Sequence, residues 1–215
     1  MNHPKYEIDW TVAHDAGVLF LTLVSPDGLN RLTLAKVRLL TEQILNFHAS
    51  DLPALSLVLS GEKHFSAGAD LNEIRILSGA GALEFAKAGQ ALMKAIDEYP
   101  APVIAAVAGY CLGGGLDLAL ACDVRIAHPH AVFGHRGAAL GLMTGWGGTQ
   151  RLSRLVGPVR AMEMFVSAQK LTAARALEIG LVQAISDTPD AMARKIAEEW
   201  QFGGGNCFQT PSVVP

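Results

Sequence analysis

"AAVAGYCLGGGLDLALACDVRIA", residues 105–127, sets three consecutive glycines and a carboxylate, Asp117, inside a run that is otherwise mostly apolar as far as Cys122. The stretch leading into it, "APVIAAVAG" (residues 101–109), is short and almost wholly apolar, the pattern of a strand buried on both faces. After the glycines the pattern is that of a buried helix running to about Ala121, and "DVRIA" returns to strand. Glycines at such a junction leave the first N–H groups of the helix uncovered at its positive end. An anion or a developing oxyanion suits that place. Close packing of helix on strand is the competing explanation and accounts for one or two of the glycines. "GYCLGGG" does not satisfy G-x-G-x-x-G and no G-K-[ST] follows, so the nucleotide-binding fingerprints fail.

Working outward, the alternation repeats. "VLFLTLVS" (residues 18–25) reads as strand and stops at the turn "PDG"; Thr33 then precedes a helix with Leu34, Val37, Leu40, Ile44 and Phe47 on one face. "ALSLVLSG" (residues 54–61) is a second buried strand, followed by the small-residue turn "FSAGAD" (65–70) and a helix from about Ala82 to Glu98. Alternating strand and helix predict an α/β fold with a parallel sheet covered by helices. Both glycine-rich turns then fall at carboxyl ends of strands, where open α/β sheets bind ligands. Two N–H donors can therefore converge on one oxygen. From Gly147 onward the chain is mostly helical, with "LTAARALEIGLVQAI" reading as helix, turn and short strand; there is no internal repeat. The tail "QFGGGNCFQTPSVVP" (201–215) lacks periodicity and is expected to be peripheral.

The whole chain narrows the function class. Its 215 residues, half of them hydrophobic, allow one large domain with a sizeable core. Seventeen basic and twenty acidic residues give a net charge of −3 without a block of like charges, so no nucleic-acid footprint or membrane-surface patch is present. A small-molecule partner is the expectation. No apolar stretch has signal-peptide or membrane-spanning length, which needs roughly 18 residues, so a cytoplasmic location is expected. Cys111, Cys122 and Cys207 are odd in number and lack metal-ligand spacing; reduced, packed thiols and no metal site follow.

"HFSAGADL" (64–71), "PVIAAVAGYCLGGGLDLALACDVRIA" (102–127), "FG" and "LG" (133–134 and 140–141) and "GWGGTQRLSRLVG" (145–157), in this order and spacing, resemble the crotonase (enoyl-CoA hydratase/isomerase) superfamily. The resemblance runs from about Val18 to Ile185. It implies a crotonase-like ββα spiral occupying residues 1–187, then a C-terminal helix and irregular tail over 188–215, a helical C-terminal region shorter than in similar proteins. It also implies an acyl-CoA thioester substrate, no cofactor beyond the coenzyme A of that substrate, and a homotrimer or hexamer. By motif position the thioester oxygen would be held by the backbone N–H groups of Ala69 and Gly114. Asn30 in "SPDGLN", with Ala67, Gly68, Asp70, Leu71, Gly113 and Trp146, would bind the rest of the substrate. Asn30 is equally read as a turn residue or helix cap.

Hydratases of this superfamily use two glutamates, and here the first position is Asp117 while the second falls on Gly137. A positioned acid or base typically contributes about 10²- to 10⁴-fold, so the loss bears directly on the reaction. The acids that other members place later in the chain would fall on Gly137 and Gly145. Asp117 is read as the acid/base; its bland alternative is a carboxylate favoured by about 0.3–1 kcal/mol in a helix's first turn. His135 and Arg136 could replace the missing group as proton donor or carboxylate anchor, or form a surface or inter-subunit pair. Trp146 is read as a wall of the acyl pocket or as core packing, His64 as an exposed turn residue, and Met143 with the 83–93 helix as tunnel lining or core. Enoyl-CoA hydration or isomerisation leads; decarboxylation or C–C bond chemistry, and a non-catalytic CoA-thioester-binding subunit, stay open.

Overall fold

Alternate residues of the central strands face two different cores, and that alternation explains why their sequences are apolar throughout. The computed structural model describes residues 10–15, 17–48 and 55–201. In chain order it contains β1 (Trp10–Asp15), β2 (Val18–Leu23), α1 (Leu34–His48), β3 (Ser56–Gly61), α2 (Leu71–Ile74), α3 (Gly79–Asp97), β4 (Val103–Val107), β5 (Tyr110–Leu112) and α4 (Gly114–Ala121). There follow β6 (Val124–Ala127), β7 (Val132–Gly134), a single 3-10 turn (Ala138–Leu140), α5 (Gly148–Val156), α6 (Pro158–Ser167), β8 (Leu171–Thr172), α7 (Ala173–Glu178), β9 (Ala184–Ile185) and α8 (Pro189–Gln201).

The large sheet has the order β1-β2-β3-β4-β6-β9 and is parallel except for the β1–β2 hairpin. Leu57 and Leu59 of β3 and Val103, Ala105 and Val107 of β4 face the main core, with Val37, Leu40 and Ile44 of α1 and Leu92, Met93 and Ile96 of α3. Val58, Ile104, Ala106, Val124 and Ile126 face the other way and are covered by Ala193, Ile196 and Ala197 of α8. Each fully buried aliphatic side chain contributes about 1.5–3 kcal/mol. The helix placed after residue 187 from sequence thus closes one face of the sheet.

A second sheet, β5-β7-β8, makes the path a spiral. Consecutive strands β4 and β5, then β6 and β7, alternate between the two sheets. The run read from sequence as one strand to Gly109 therefore breaks: β4 ends at Val107, the chain bends through Gly109 at φ +54°, and residues 110–112 pair with β7. The triglycine turn follows β5 of the small sheet rather than β4.

Its three glycines have separate reasons. Gly113 has φ +53°, a left-handed conformation that glycine adopts without strain. A Cβ on Gly114 would run into the Trp146 ring, and one on Gly115 into the carbonyl of Ser66. Close packing explains two positions and a turn the third.

Local polar groups fix the helix starts. Thr33 Oγ1 accepts the Lys36 N–H at 3.2 Å at the head of α1, and Ser78 Oγ accepts the Gly81 N–H at 3.1 Å ahead of α3, which begins three residues before the position read from sequence. Cys111 and Cys122 are buried and free, as expected, and burial pushes the Cys122 thiol up to about 12. The 202–215 tail and Cys207 lie outside the described residues. No described helix is long and apolar enough to cross a membrane, and no group of His, Cys, Asp and Glu suited to a metal is found among the described residues.

Candidate active site

Two turns meet at the head of α4. After β3, the N–H groups of Phe65 and Ser66 donate to the Ala108 and Tyr110 carbonyls at 2.8 and 2.9 Å, and the Leu112 N–H returns to Ser66 at 3.0 Å. These bonds lay "FSAGAD" along β5, so closely that a side chain on Gly68 would stand 2.9 Å from the Gly114 nitrogen. Leu32 donates to the Gly68 carbonyl and accepts the Asp70 N–H. That ladder uses the groups flanking Ala69 and leaves the Ala69 N–H pointing away from it. Gly114 opens α4, where the first N–H groups have no acceptor within the helix. Neither the Ala69 nor the Gly114 N–H donates to an acceptor among the described residues, and both residues line a cavity of about 510 Å³.

Asp117 sits one turn into α4, in the wall of the same cavity, 1% exposed. Thr144 Oγ1 donates to its Oδ2, and His135 Nε2 lies 3.1 Å from its Oδ1. A buried carboxylate costs several kcal/mol unless donors or a cation face it; the facing groups here are a hydroxyl and an imidazole. The Asp117–His135 contact is close without being aligned: Oδ1 and Nε2 are both sealed from solvent and have no hydrogen-bond partner among the described residues. Catalytic hydrogen bonds in ligand-free sites are often of this kind. Gly148 lets the start of α5 lie against the pair, since a Cβ there would run into Asp117 Oδ1 and stand 3.0 Å from His135 Nε2.

Trp146 lines the cavity and is also packed into the core. Its indole lies over Gly89 of α3 and Gly114 of α4, meets Phe85 edge-on at 5.2 Å, and donates from Nε1 to the Phe85 carbonyl at 3.3 Å. Gly137 lines the cavity as well. A Cβ there would stand 2.5 Å from the Leu142 carbonyl, so this backbone has no room for the side chain that the resemblance places at that position.

Of the residues singled out from sequence, Ala67, Ala69, Leu71, Gly113, Gly114, Asp117, His135 and Trp146 come together around the cavity. Three do not. Asn30 is fully buried outside it, with φ +49° and its Nδ2 donating to the Leu23 carbonyl at 3.2 Å and the His64 carbonyl at 2.6 Å; it is a turn residue that ties the end of β2 to the loop after β3. Asp70 caps α2, its Oδ1 accepting the Asn72 N–H at 2.7 Å, and Gly68 supplies the turn itself.

His135 is 4% exposed, which removes the surface-loop reading, whereas Arg136 is exposed at the rim and donates to the Ala168 carbonyl at 2.9 Å. His64 is not a solvated turn residue. It is half-buried, stacks on Tyr110 at 4.5 Å and accepts the Tyr110 N–H at Nδ1; burial and the Lys63 charge lower its pKa. Met143 is exposed at the cavity rim, Phe85 and Ala86 line the wall, and Leu92 and Met93 are core. Thr144 is the polar site residue that the sequence did not single out: one hydroxyl beside a glycine-rich loop carries no periodic or motif signal.

A family model described as enoyl-CoA hydratase/isomerase matches residues 13–209. A short-chain-enoyl-CoA hydratase of Clostridium acetobutylicum is 38% identical over 187 residues, covering 85% of this chain and 71% of that protein. A crotonyl-CoA hydratase of Syntrophomonas wolfei is 40% identical over 176 residues, covering 80% of this chain and 66% of that protein. Among solved structures, an enoyl-CoA hydratase from Bacillus anthracis superposes with a TM-score of 0.84 at 33% identity, covering 89% of this chain and 76% of its own. Pseudomonas aeruginosa DspI superposes with a TM-score of 0.87 at 33% identity, over 92% of this chain and 82% of that one.

Proposed function

The chain belongs to the enoyl-CoA hydratase/isomerase family, the crotonase superfamily, and from that premise we propose that it adds water across the 2,3 double bond of an enoyl-CoA thioester. The observation that carries this reading is the juxtaposition, in one cavity, of two unengaged backbone donors, Ala69 and Gly114, with the buried Asp117–His135 pair. The thioester oxygen accepts from both N–H groups, which draws electron density off the β-carbon and stabilises the enolate. One such donor is worth about 2.7–4 kcal/mol where measured in other enzymes. Asp117 takes a proton as water attacks the β-carbon, and protonated His135 gives one to the α-carbon. The proton on Asp117 then crosses to His135, and the pair is reset. The reaction as written uses no cofactor beyond the substrate's coenzyme A. A trimeric or hexameric assembly and a cytoplasmic location belong to the same proposal.

The pair can also move a proton from the γ-carbon to the α-carbon, and the absence of a carboxylate at Gly137 favours keeping isomerisation as the second reading. Product mass separates the two. Incubation with crotonyl-CoA is expected to bleach the enone absorbance and yield a product heavier by one water. An isomerised product from a longer 3-enoyl-CoA, with no hydration of either substrate, would replace the first reading by the second. Thioester binding without turnover of either would leave a binding subunit.

A further inference from the structure

We propose that Arg136 and Lys170 form an anion-receiving rim on the active-site cavity, and that the anion is a carboxylate carried on the acyl chain of the substrate, the mono-thioester of a dicarboxylic acid. The inference rests on the acyl-CoA reading given above. Strands β7 and β8 pair antiparallel, with Val132 opposite Thr172 and Phe133 opposite Leu171. One step further the register sets Gly134 against Lys170, where a Cβ on the glycine would stand 3.6 Å from the Lys170 Cα. Beyond it, Arg136 Nη1 donates to the Ala168 carbonyl at 2.9 Å. Phe133 and His135 are buried while Arg136 is exposed, so Arg136 and Lys170 leave the end of the ribbon as diagonal neighbours. Such neighbours lie about 7–8 Å apart, a span that two long side chains close around one carboxylate.

The charges at this rim are uncompensated. Both residues are exposed and line the cavity, and neither has an acidic partner among the described residues. Arg136 gives an N–H to Ala168 and keeps the rest of its donor fork, a planar group that meets a carboxylate in two parallel bonds. Lys170 lies over the Tyr110 ring, its Nζ 5.3 Å from the centroid. Asp117 is the acid in the cavity lining, and it already faces Thr144 and His135; Gly137, next to Arg136, brings no carboxylate. The place of the cations selects the source of the anion. Arg136 follows His135 directly, so the rim borders the acid–base pair. A carboxylate at the end of a short acyl chain is a few bonds from the carbons that react there, whereas the phosphates of coenzyme A stand beyond the whole pantetheine arm. Arg136, offered by the sequence as a carboxylate anchor, thus takes that role toward the substrate rather than toward a protein side chain.

The test measures affinity by calorimetry for glutaryl-CoA and pentanoyl-CoA, which share a chain length and differ in the terminal carboxylate. It uses the unaltered chain, Arg136→Gln, Lys170→Gln and the double variant, each checked for folding by circular dichroism and thermal melting. The unaltered chain is expected to bind glutaryl-CoA the more tightly by roughly 10-fold, and the gap to narrow as salt is raised. Each single variant should close part of the gap and the double variant all of it; if Arg136→Gln does not fold, Lys170→Gln and the salt series decide. The same two acyl groups on pantetheine, which carries no phosphate, should show the same gap. Variants that weaken both CoA thioesters alike, with the pantetheine thioesters bound as before, would hand the cations to the phosphates of coenzyme A and overturn the acyl assignment. No gap on the unaltered chain, or a gap that the double variant retains, would overturn the rim altogether. Turnover keeps the two readings apart: a glutaryl-CoA preference without hydration of crotonyl-CoA or glutaconyl-CoA supports the rim and removes the hydratase, and hydration of crotonyl-CoA without the preference does the reverse. If neither CoA thioester binds, the acyl-CoA reading falls and this proposal with it.

Discussion

Asn30 and Asp117 are both buried polar residues in or beside a glycine-rich turn, each with one side-chain oxygen that has no partner among the described residues, and it is the groups they face and their place relative to the cavity that separate a structural role from a chemical one. Asn30 spends its amide on the Leu23 and His64 carbonyls and holds a positive φ that asparagine tolerates better than most residues. Asp117 has one oxygen held and the other open toward a histidine. Asn30→Ala is expected to lose about 1–3 kcal/mol in urea unfolding, with CoA-thioester affinity of the folded protein unchanged; weakened affinity at unchanged stability would return Asn30 to the substrate site. Asp117 was readable from sequence because a carboxylate stands out in an apolar helix behind three glycines. The partnership with Thr144 was not, since 27 residues separate them and neither position carries a periodic signal.

The α4 helix is set by what its glycines touch. Gly114 lines the cavity, and a Cβ on it would run into the Trp146 ring, so any side chain there disturbs that wall. Proline at Gly114 is for this reason an ambiguous way to remove the donor: the first position of a helix tolerates it, yet its ring meets the indole. Gly114→Ala is expected to destabilise by about 1–3 kcal/mol through overpacking, and Trp146→Leu in the same chain to recover most of that loss. Independent, additive effects in thermal or urea unfolding would show that the two residues do not press on each other. At this scale the sequence exposed the long parallel strands through their nearly continuous apolar runs and α1 through its periodic apolar face, and α3 and α4 were also legible as helices. The three-residue β5 and β7 and the two-residue β8 were hidden, being too short to show any period, and the β1 strand alternates too weakly to stand out from a loop. Without them the two-sheet spiral, and the fact that the triglycine turn leaves the small sheet, could not be derived from pattern alone.

In the molecule as a whole, two cores on either face of one sheet hold β3 and β4, and the turns that follow β3 and β5 meet at one cavity. The motif order already carried the superfamily, because "HFSAGADL", the triglycine segment and "GWGGTQRL" are the pieces that fold onto that cavity. The sequence offered both His135 and Arg136 for the place of the missing group; what it did not carry was which of them meets Asp117, and that depends on β7 and α5 bringing His135 and Gly148 against the carboxylate. The central claim is that Asp117 and His135 act as one acid–base unit. Its most direct test is a double-mutant cycle of Asp117→Asn and His135→Gln on crotonyl-CoA hydration. Each single variant should lose about 10²- to 10⁴-fold in kcat, and the double variant little more than the worse of the two. Losses that multiply, or a single variant that keeps its rate, would contradict the pair.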